Sequence, residues 1–368
     1  MTNWSSPRLH QDLLMAIQRL SQRWLYLTVP LATCSFVGCL GWFWWSWVTA
    51  PVNASAIAQT IQIAPGTPAQ QIGQDLETLG VIRSTTAWEL WARWLSLREP
   101  QGSFQAGTYE LSPRLSLEQV ATKIWLGEVV QQPLTIPEGW SLRQMAAEFE
   151  RQGFFSAEAF MAAAHKIPYA QYPWLPQELP HLEGFLYPDT YLLPKDQITP
   201  QQVVHLMLSR FEQVALPLYQ RQQSQTPLSL RAWVTLASIV EKEAVIPEER
   251  PRIAGVFLRR LQLGMTLGSD PTVEYGLGIQ QTPDQPLTLR QVNTASPYNT
   301  YLNPGLPPTP IASPGRASLQ AVLTPEVTPY LYFVARYDGS HVFSRTLAAH
   351  EAAQAAIQAR RGSQPHRP

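Results

Sequence analysis

The longest hydrophobic pattern in this chain comes first. Residues 24–48 carry no charged side chain. As a helix, that run would span roughly 37 Å at about 1.5 Å per residue, enough for a bilayer core of about 30 Å. Trp24, Trp42, Trp44, Trp45 and Trp47, with Tyr26, stand towards its two ends, where interfacial aromatics belong. Arg8, Arg19 and Arg23 precede the run against Asp12, and no charge follows it until Asp75. The positive-inside rule therefore predicts residues 1–23 in the cytoplasm and the remainder exported. A cleaved signal peptide is the rival reading, because Val48-Thr49-Ala50 ends in small residues, but the apolar run is long for one.

Beyond it the pattern repeats at an offset of 73. Ile61-Gln62-Ile63-Ala64-Pro65-Gly66 matches Leu134-Thr135-Ile136-Pro137-Glu138-Gly139. Ile72 then matches Met145, Leu76 matches Phe149, and Gly80 matches Gly153. Each copy predicts an alternating strand, a glycine turn, an amphipathic helix and a glycine stop. Between the copies, helices are expected over Thr86–Ser96 and Leu115–Leu126, with a turn and strand over Phe104–Leu111. Residues 166–190, rich in proline and aromatics, are expected to join two domains. The small strand–helix units are similar in character to the LysM sugar-binding module; the alternative is that they are spacers.

Further along, Leu230, Trp233, Val234 and Ala237 form one helical stripe, with Thr226 or Ser229 available as its cap. Glu241 takes the next place on that stripe, where an apolar residue belongs. Burial favours the protonated carboxyl, the form a general acid needs. A helix end turned towards water is the competing reading. Glu243 lies near the Leu236/Val240 face. Ile253, Val256, Phe257 and Leu261 predict another helix, stopped at Gly264. Two loops are then expected, Leu267–Gly276 and Ser296–Tyr301 running on to Pro308, with Glu183–Tyr191 of similar character upstream. Tyrosine faces and asparagine amides suit a sugar, although Asp270 before Pro271 equally suits backbone N–H groups.

Composition narrows the class. Lys and Arg number 27, as do Asp and Glu, for a net charge of zero, with no basic cluster to attract nucleic acid. Charged residues are 15% against about 25% in ordinary domains, and the 33 prolines lie well above the usual ~5%. Hydrophobic residues at 45% are enough for a core. The cysteines, Cys34 and Cys39, both fall in the apolar run, so the exported body has no disulfide. The seven histidines form no His-Glu-x-x-His, and neither a Gly-x-Ser-x-Gly nor a phosphate loop occurs. No metal and no cofactor are expected.

Several motifs, in order, resemble one family. They are Ile136-Pro137-Glu138-Gly139; Glu183-Gly184-Phe185 with Pro188-Asp189-Thr190; Ala237-Ser238-Ile239-Val240-Glu241-Lys242-Glu243; Asp270-Pro271-Thr272-Val273 with Tyr275-Gly276; Ser296-Pro297-Tyr298-Asn299-Thr300-Tyr301; Gly305-Leu306-Pro307-Pro308; and Pro329–Ala335 with His341 and Phe343. Over about 57–350 the chain is similar to the MltG, or YceG-like, endolytic murein transglycosylases. The resemblance implies a single-pass protein of the bacterial inner membrane, with its catalytic domain in the periplasm. It implies cleavage of MurNAc–GlcNAc bonds in nascent glycan strands, 1,6-anhydro ends, termination of strand growth, and a partner among the peptidoglycan polymerases. It places the catalytic glutamate at Glu241. One departure stands out: Gly268 occupies the place where the family usually has Gln.

The resulting expectation is an α+β protein. Residues 1–23 are cytoplasmic, 24–48 the anchor, 49–165 a linker and LysM-like α+β subdomain, 166–350 a mixed α+β catalytic domain, and 351–368 a polar tail whose last part is disordered. Glu241 is the acid/base; Tyr298, Asn299, Tyr301, Asp270, Glu183, Asp189 and Glu243 are candidates for holding the sugars. The alternatives are a hydrolase of the same polymer, using Asp270 or Glu183 as a second carboxylate, and a non-catalytic wall-binding scaffold that needs no glutamate at 241.

Overall fold

The alternation at 59–63 becomes β1 (Gln59–Ile63), which turns Ile61 and Ile63 inward. In the computed structural model the described residues are 33, 35–53, 55–194, 198–282 and 285–363, the last three by backbone alone. They divide into two compact units, residues 1–131 and 132–368.

In the first unit, β1 runs antiparallel to β2 (Gly107–Leu111), with Gln59 opposite Leu111 and Ile63 opposite Gly107. Between them lie α2 (Ala69–Thr78) and α3 (Thr85–Arg98), and α4 (Leu117–Trp125) follows. Ser84 caps α3, and a Ser116/Gln119 capping box opens α4, satisfying N–H groups that a helix start leaves unpaired. Trp88 is fully buried and donates from Nε1 to Ala69 O at 2.7 Å. Gly73 makes room for it, since a Cβ there would lie 2.5 Å from the indole. A further helix, α1, covers residues 35–49. Its Val48 joins this core, whereas Phe36, Val37, Leu40, Trp42, Phe43 and Trp44 remain exposed. Among the described residues no helix is long and apolar enough to cross a membrane. Residues 1–32 and Cys34, which include most of the first half of the expected anchor, lie outside the described residues.

The second unit holds β3 (Gln131–Thr135) paired with β4 (Thr190–Pro194), and β5 (Tyr332–Ala335) antiparallel to β6 (His341–Ser344). Its helices are α5 (Leu142–Arg151), α6 (Ala157–His165), α7 (Pro200–Val214), α8 (Leu216–Gln222), α9 (Leu230–Glu243), α10 (Arg250–Gln262), α11 (Asp270–Leu277), α12 (Leu289–Val292), α13 (Arg316–Leu323) and α14 (Leu347–Ser363). The α9 helix is central: every residue from Trp233 to Val240 is buried, and it packs against α10, α11 and α13. Trp233 donates to Leu319 O at 2.9 Å, tying α9 to α13.

The repeat is physical. At an offset of 73, α2 and α5 coincide residue for residue, and Gly66, Gly80, Gly139 and Gly153 all take positive φ. The two copies nevertheless serve different cores, one in each unit. The 165/166 boundary expected from sequence falls inside the larger unit. Residues 166–190, expected as a junction, supply Tyr172, Leu175, Leu182, Phe185 and Leu186 to its core.

Two further expectations are corrected. Residues 270–277, read as loop, form α11, because proline is compatible with a first helical turn and Asp270 complements its dipole. Residues 351–363, read as a polar tail, are helical, as the alanine-rich run from Ala348 to Ala359 favours. Residues 364–368 lie outside the described residues.

Candidate active site

The last turn of α9 carries Glu241, whose side chain is only 7% exposed. Three segments enclose it. Gly315, just before α13, donates its N–H to Oε2 at 2.9 Å. Arg250, opening α10, places Nη2 3.7 Å from Oε1. Gly139 lies along its aliphatic stem: a Cβ at 139 would sit 3.5 Å from Glu241 Cγ. The enclosing loops are clasped together, with Gly139 N donating to Ser313 O and Ser313 N to Trp140 O, each at 2.8 Å. Behind them, buried Ser238 accepts from Ile311 N at 3.0 Å and donates to Thr235 O at 2.7 Å, fixing the 311–315 segment to α9.

A second carboxyl stands beside the first. Glu138 lies over Gly315 so closely that a Cβ there would fall 1.9 Å from Glu138 Cδ. Partial burial raises the Glu138 carboxyl above its ordinary range, the charge of Glu241 adds to this, and Arg250 opposes it. Sequence reasoning gave Glu138 no role. The available signal was the repeat itself, in which the first copy has Pro65 at the position where the second has Glu138.

A cleft of about 230 Å³ is walled by Gly139, Ser141, Arg143, Lys242, Glu274 and Tyr275, of which Gly139 packs on the Glu241 stem. Of the residues expected to hold sugars, several hold the frame instead. Glu183 is 1% exposed; both its oxygens accept from Leu142 N, at 3.0 and 3.2 Å, and Tyr275 OH donates to it at 2.9 Å. Burial pushes its carboxyl up to about 8. Asn299 is fully buried, donating to Val292 O and Thr294 O and accepting from Tyr301 N, so its amide has no donor left for a ligand. Neither can contact a sugar as expected, since burial and internal bonds occupy both. Tyr298 packs on Tyr275 at 4.8 Å and bonds Thr309 Oγ1 at 2.9 Å.

Glu243 accepts from Ser269 Oγ at 2.5 Å, and burial pushes it up to about 7. Asp270 accepts from Tyr301 OH at 2.6 Å, and burial with the Asp270 charge raises the Tyr301 phenol. Asp189 pairs with Arg210 at 2.6 Å, away from Glu241's immediate partners. Gly268 has φ +55, and a Cβ there would touch Arg260 and Tyr301 at 3.5 Å, so a side chain at 268 would extend this second cluster. Among the described residues no group of three or more His, Cys, Asp or Glu could hold a metal ion.

Comparison with known proteins gives one answer. The family described as YceG-like matches residues 61–356. The endolytic murein transglycosylase of Bacillus subtilis (strain 168) is 30% identical over 309 residues, covering 80% of this chain and 83% of its own. The endolytic murein transglycosylase of Streptococcus pneumoniae serotype 2 is 32% identical over 315 residues, covering 77% of this chain; those residues span 56% of that longer protein. The crystal structure of a YceG-like protein from Listeria monocytogenes superposes with a TM-score of 0.55 at 32% identity, covering 81% of this chain and all of that one.

Proposed function

The chain belongs to the YceG-like family, and on that premise we propose that it is an endolytic murein transglycosylase, a lyase that cuts peptidoglycan glycan strands. The observation that carries this reading is a nearly buried carboxyl, met by one backbone N–H and one guanidinium, on the residue before Lys242 of the cleft wall. Glu241 protonates the oxygen bridging MurNAc and GlcNAc as that bond breaks. Positive charge grows at C1 of the muramic sugar, as in other glycoside cleavages. The ionised Glu241 then takes the proton of the C6 hydroxyl, which closes on C1 to give a 1,6-anhydro end and consumes no water. In the interval Gly315 N–H and Arg250 hold the Glu241 side chain in place, since charge-assisted bonds are the strong ones.

Residues 24–48 serve as the anchor in a bacterial plasma membrane, with residues 1–23 inside and the body on its outer face. The exposed Phe36, Val37, Leu40, Trp42 and Phe43 of α1 support this. The β1-α2-α3-β2 order supports a LysM-like, sugar-binding first unit. The partner is a polymerase of the same strands, whose growth the cut would end.

The test compares the full chain in detergent with Glu241→Gln on uncross-linked glycan strands, reading new sugar ends by mass spectrometry. Anhydro ends are expected from the wild type, with the variant slower by ~10²–10⁴-fold, the usual weight of general acid–base catalysis. A second reading is a hydrolase, favoured by Glu138 standing beside Glu241. Ordinary reducing ends, abolished by Glu138→Gln, would replace the first reading with that one.

A further inference from the structure

Two cations stand on the cleft walls, and the charge of one, Arg143, reaches the buried Glu183. Arg143 lies on the first turn of α5 and Lys242 directly follows Glu241 on α9. Among the described residues neither has a carboxylate within 4.0 Å. Surface cations are usually solvated and free to move, yet Arg143 is held. Its guanidinium lies 5.9 Å from the centre of the Tyr275 ring, and Tyr275 is itself anchored on the buried Glu183. The other side rests against Gly278, where a Cβ would come within 2.8 Å of Nη1, so the glycine leaves the space the cation fills. The anion sharing the cleft, Glu274, already accepts from Gln281 N at 2.7 Å.

We propose that Arg143 and Lys242 form a carboxylate-binding subsite for the lactyl arm of the muramic sugar, a deepening of the function above that rests on it. The chemistry fits by position. The lactyl ether sits on C3 of the same sugar whose C1 is cut, so its carboxylate or the peptide attached to it lies within one ring of the reacting bond. Lys242 neighbours Glu241, and Gly139 touches both side chains' space. A planar guanidinium fixed on an aromatic face is preorganised for a carboxylate, and the ammonium adds a point charge. The subsite sets which muramic residues are cut, by what their lactyl arm carries.

One chemistry has two sources here: the free lactyl carboxylate, or a carboxylate of the attached peptide. The experiment therefore uses peptide-bearing glycan strands and the same strands stripped of peptide by an amidase. Steady-state cleavage by wild type, Arg143→Gln, Lys242→Gln and Arg143→Lys is compared on both. We expect a rise in KM of about fivefold to tenfold in each glutamine variant, kcat moving less, and only partial recovery in Arg143→Lys, which restores the charge but not the stacked fork. A penalty confined to peptide-bearing strands assigns the peptide carboxylate, and one confined to stripped strands assigns the lactyl carboxylate. Equal KM for wild type and both glutamine variants on both substrates overturns the proposal. Strand binding in the Glu241→Gln background, by fluorescence anisotropy, provides a reading independent of cleavage. If wild type cuts nothing while charge-dependent binding persists, the catalytic reading fails and the subsite stands.

Discussion

Glu183 is buried and Glu243 half-buried, and both carboxyls carry the mark of it. Burial pushes Glu183 up to about 8 and Glu243 up to about 7, against an ordinary value of 4.5. The sign of the consequence is fixed by linkage. Above about pH 4.5 the unfolded chain has released these protons, while the folded chain keeps that of Glu243 to about 7 and that of Glu183 to about 8. Stability contributed by the two groups is thus fully present below 4.5 and is lost as pH rises through about 7 and then 8. Urea midpoints should fall across that window, each group contributing at most about 1.4 kcal/mol per pH unit. Glu183→Gln keeps the shape and an acceptor for Leu142 N, and should flatten part of the slope; an unchanged slope in the variant refutes the assignment. At this scale the sequence was legible only where periodicity speaks. The stripe through Trp233 and Ala237 pointed to Glu241. Nothing in a linear pattern reveals that Asn299 uses its amide internally or that Glu138 meets Gly315, because those partners are made by folding.

The elements around the site are fixed by a few buried polar groups, of which Ser238 is the clearest. Its hydroxyl is fully buried, accepts from Ile311 N and donates to Thr235 O. Ser238→Ala would leave the Ile311 N–H unpaired inside the protein, at a cost of about 1–3 kcal/mol. The 311–315 segment would loosen, and with it the Gly315 N–H on Glu241. The expected outcome is a lower urea midpoint together with slower cleavage; a lower midpoint with unchanged cleavage would separate the two and refute the coupling. Helices with strong stripes and caps, such as α5 and α9, were legible. The α11 helix was not, because Pro271 and Gly276 carry the same signs in a loop as at the ends of a short helix.

At the scale of the whole molecule, the described residues form two cores with no shared member, one drawn from residues before 131 and one from Leu134 onward. Residues 132–363 should therefore fold without the first unit, unfold cooperatively on heating, and retain cleavage of glycan strands. Circular dichroism and the product assay check this, and a truncated chain that never acquires native helix content refutes it. The repeat that straddles the two cores was legible at an offset of 73. Where one core ends was not, because both copies present the same apolar face and only packing decides which neighbours they meet.

The Gly315 N–H that meets Glu241 comes 74 residues later in the chain. At ~5–20 residues per second, synthesis takes roughly 4–15 s to cover that distance. Until then the carboxylate has neither that donor nor the Ser313 loop that encloses it. The ribosome delivers the Gly139 wall and the acid first and the Gly315 donor last, so a nascent chain carries an unfinished site.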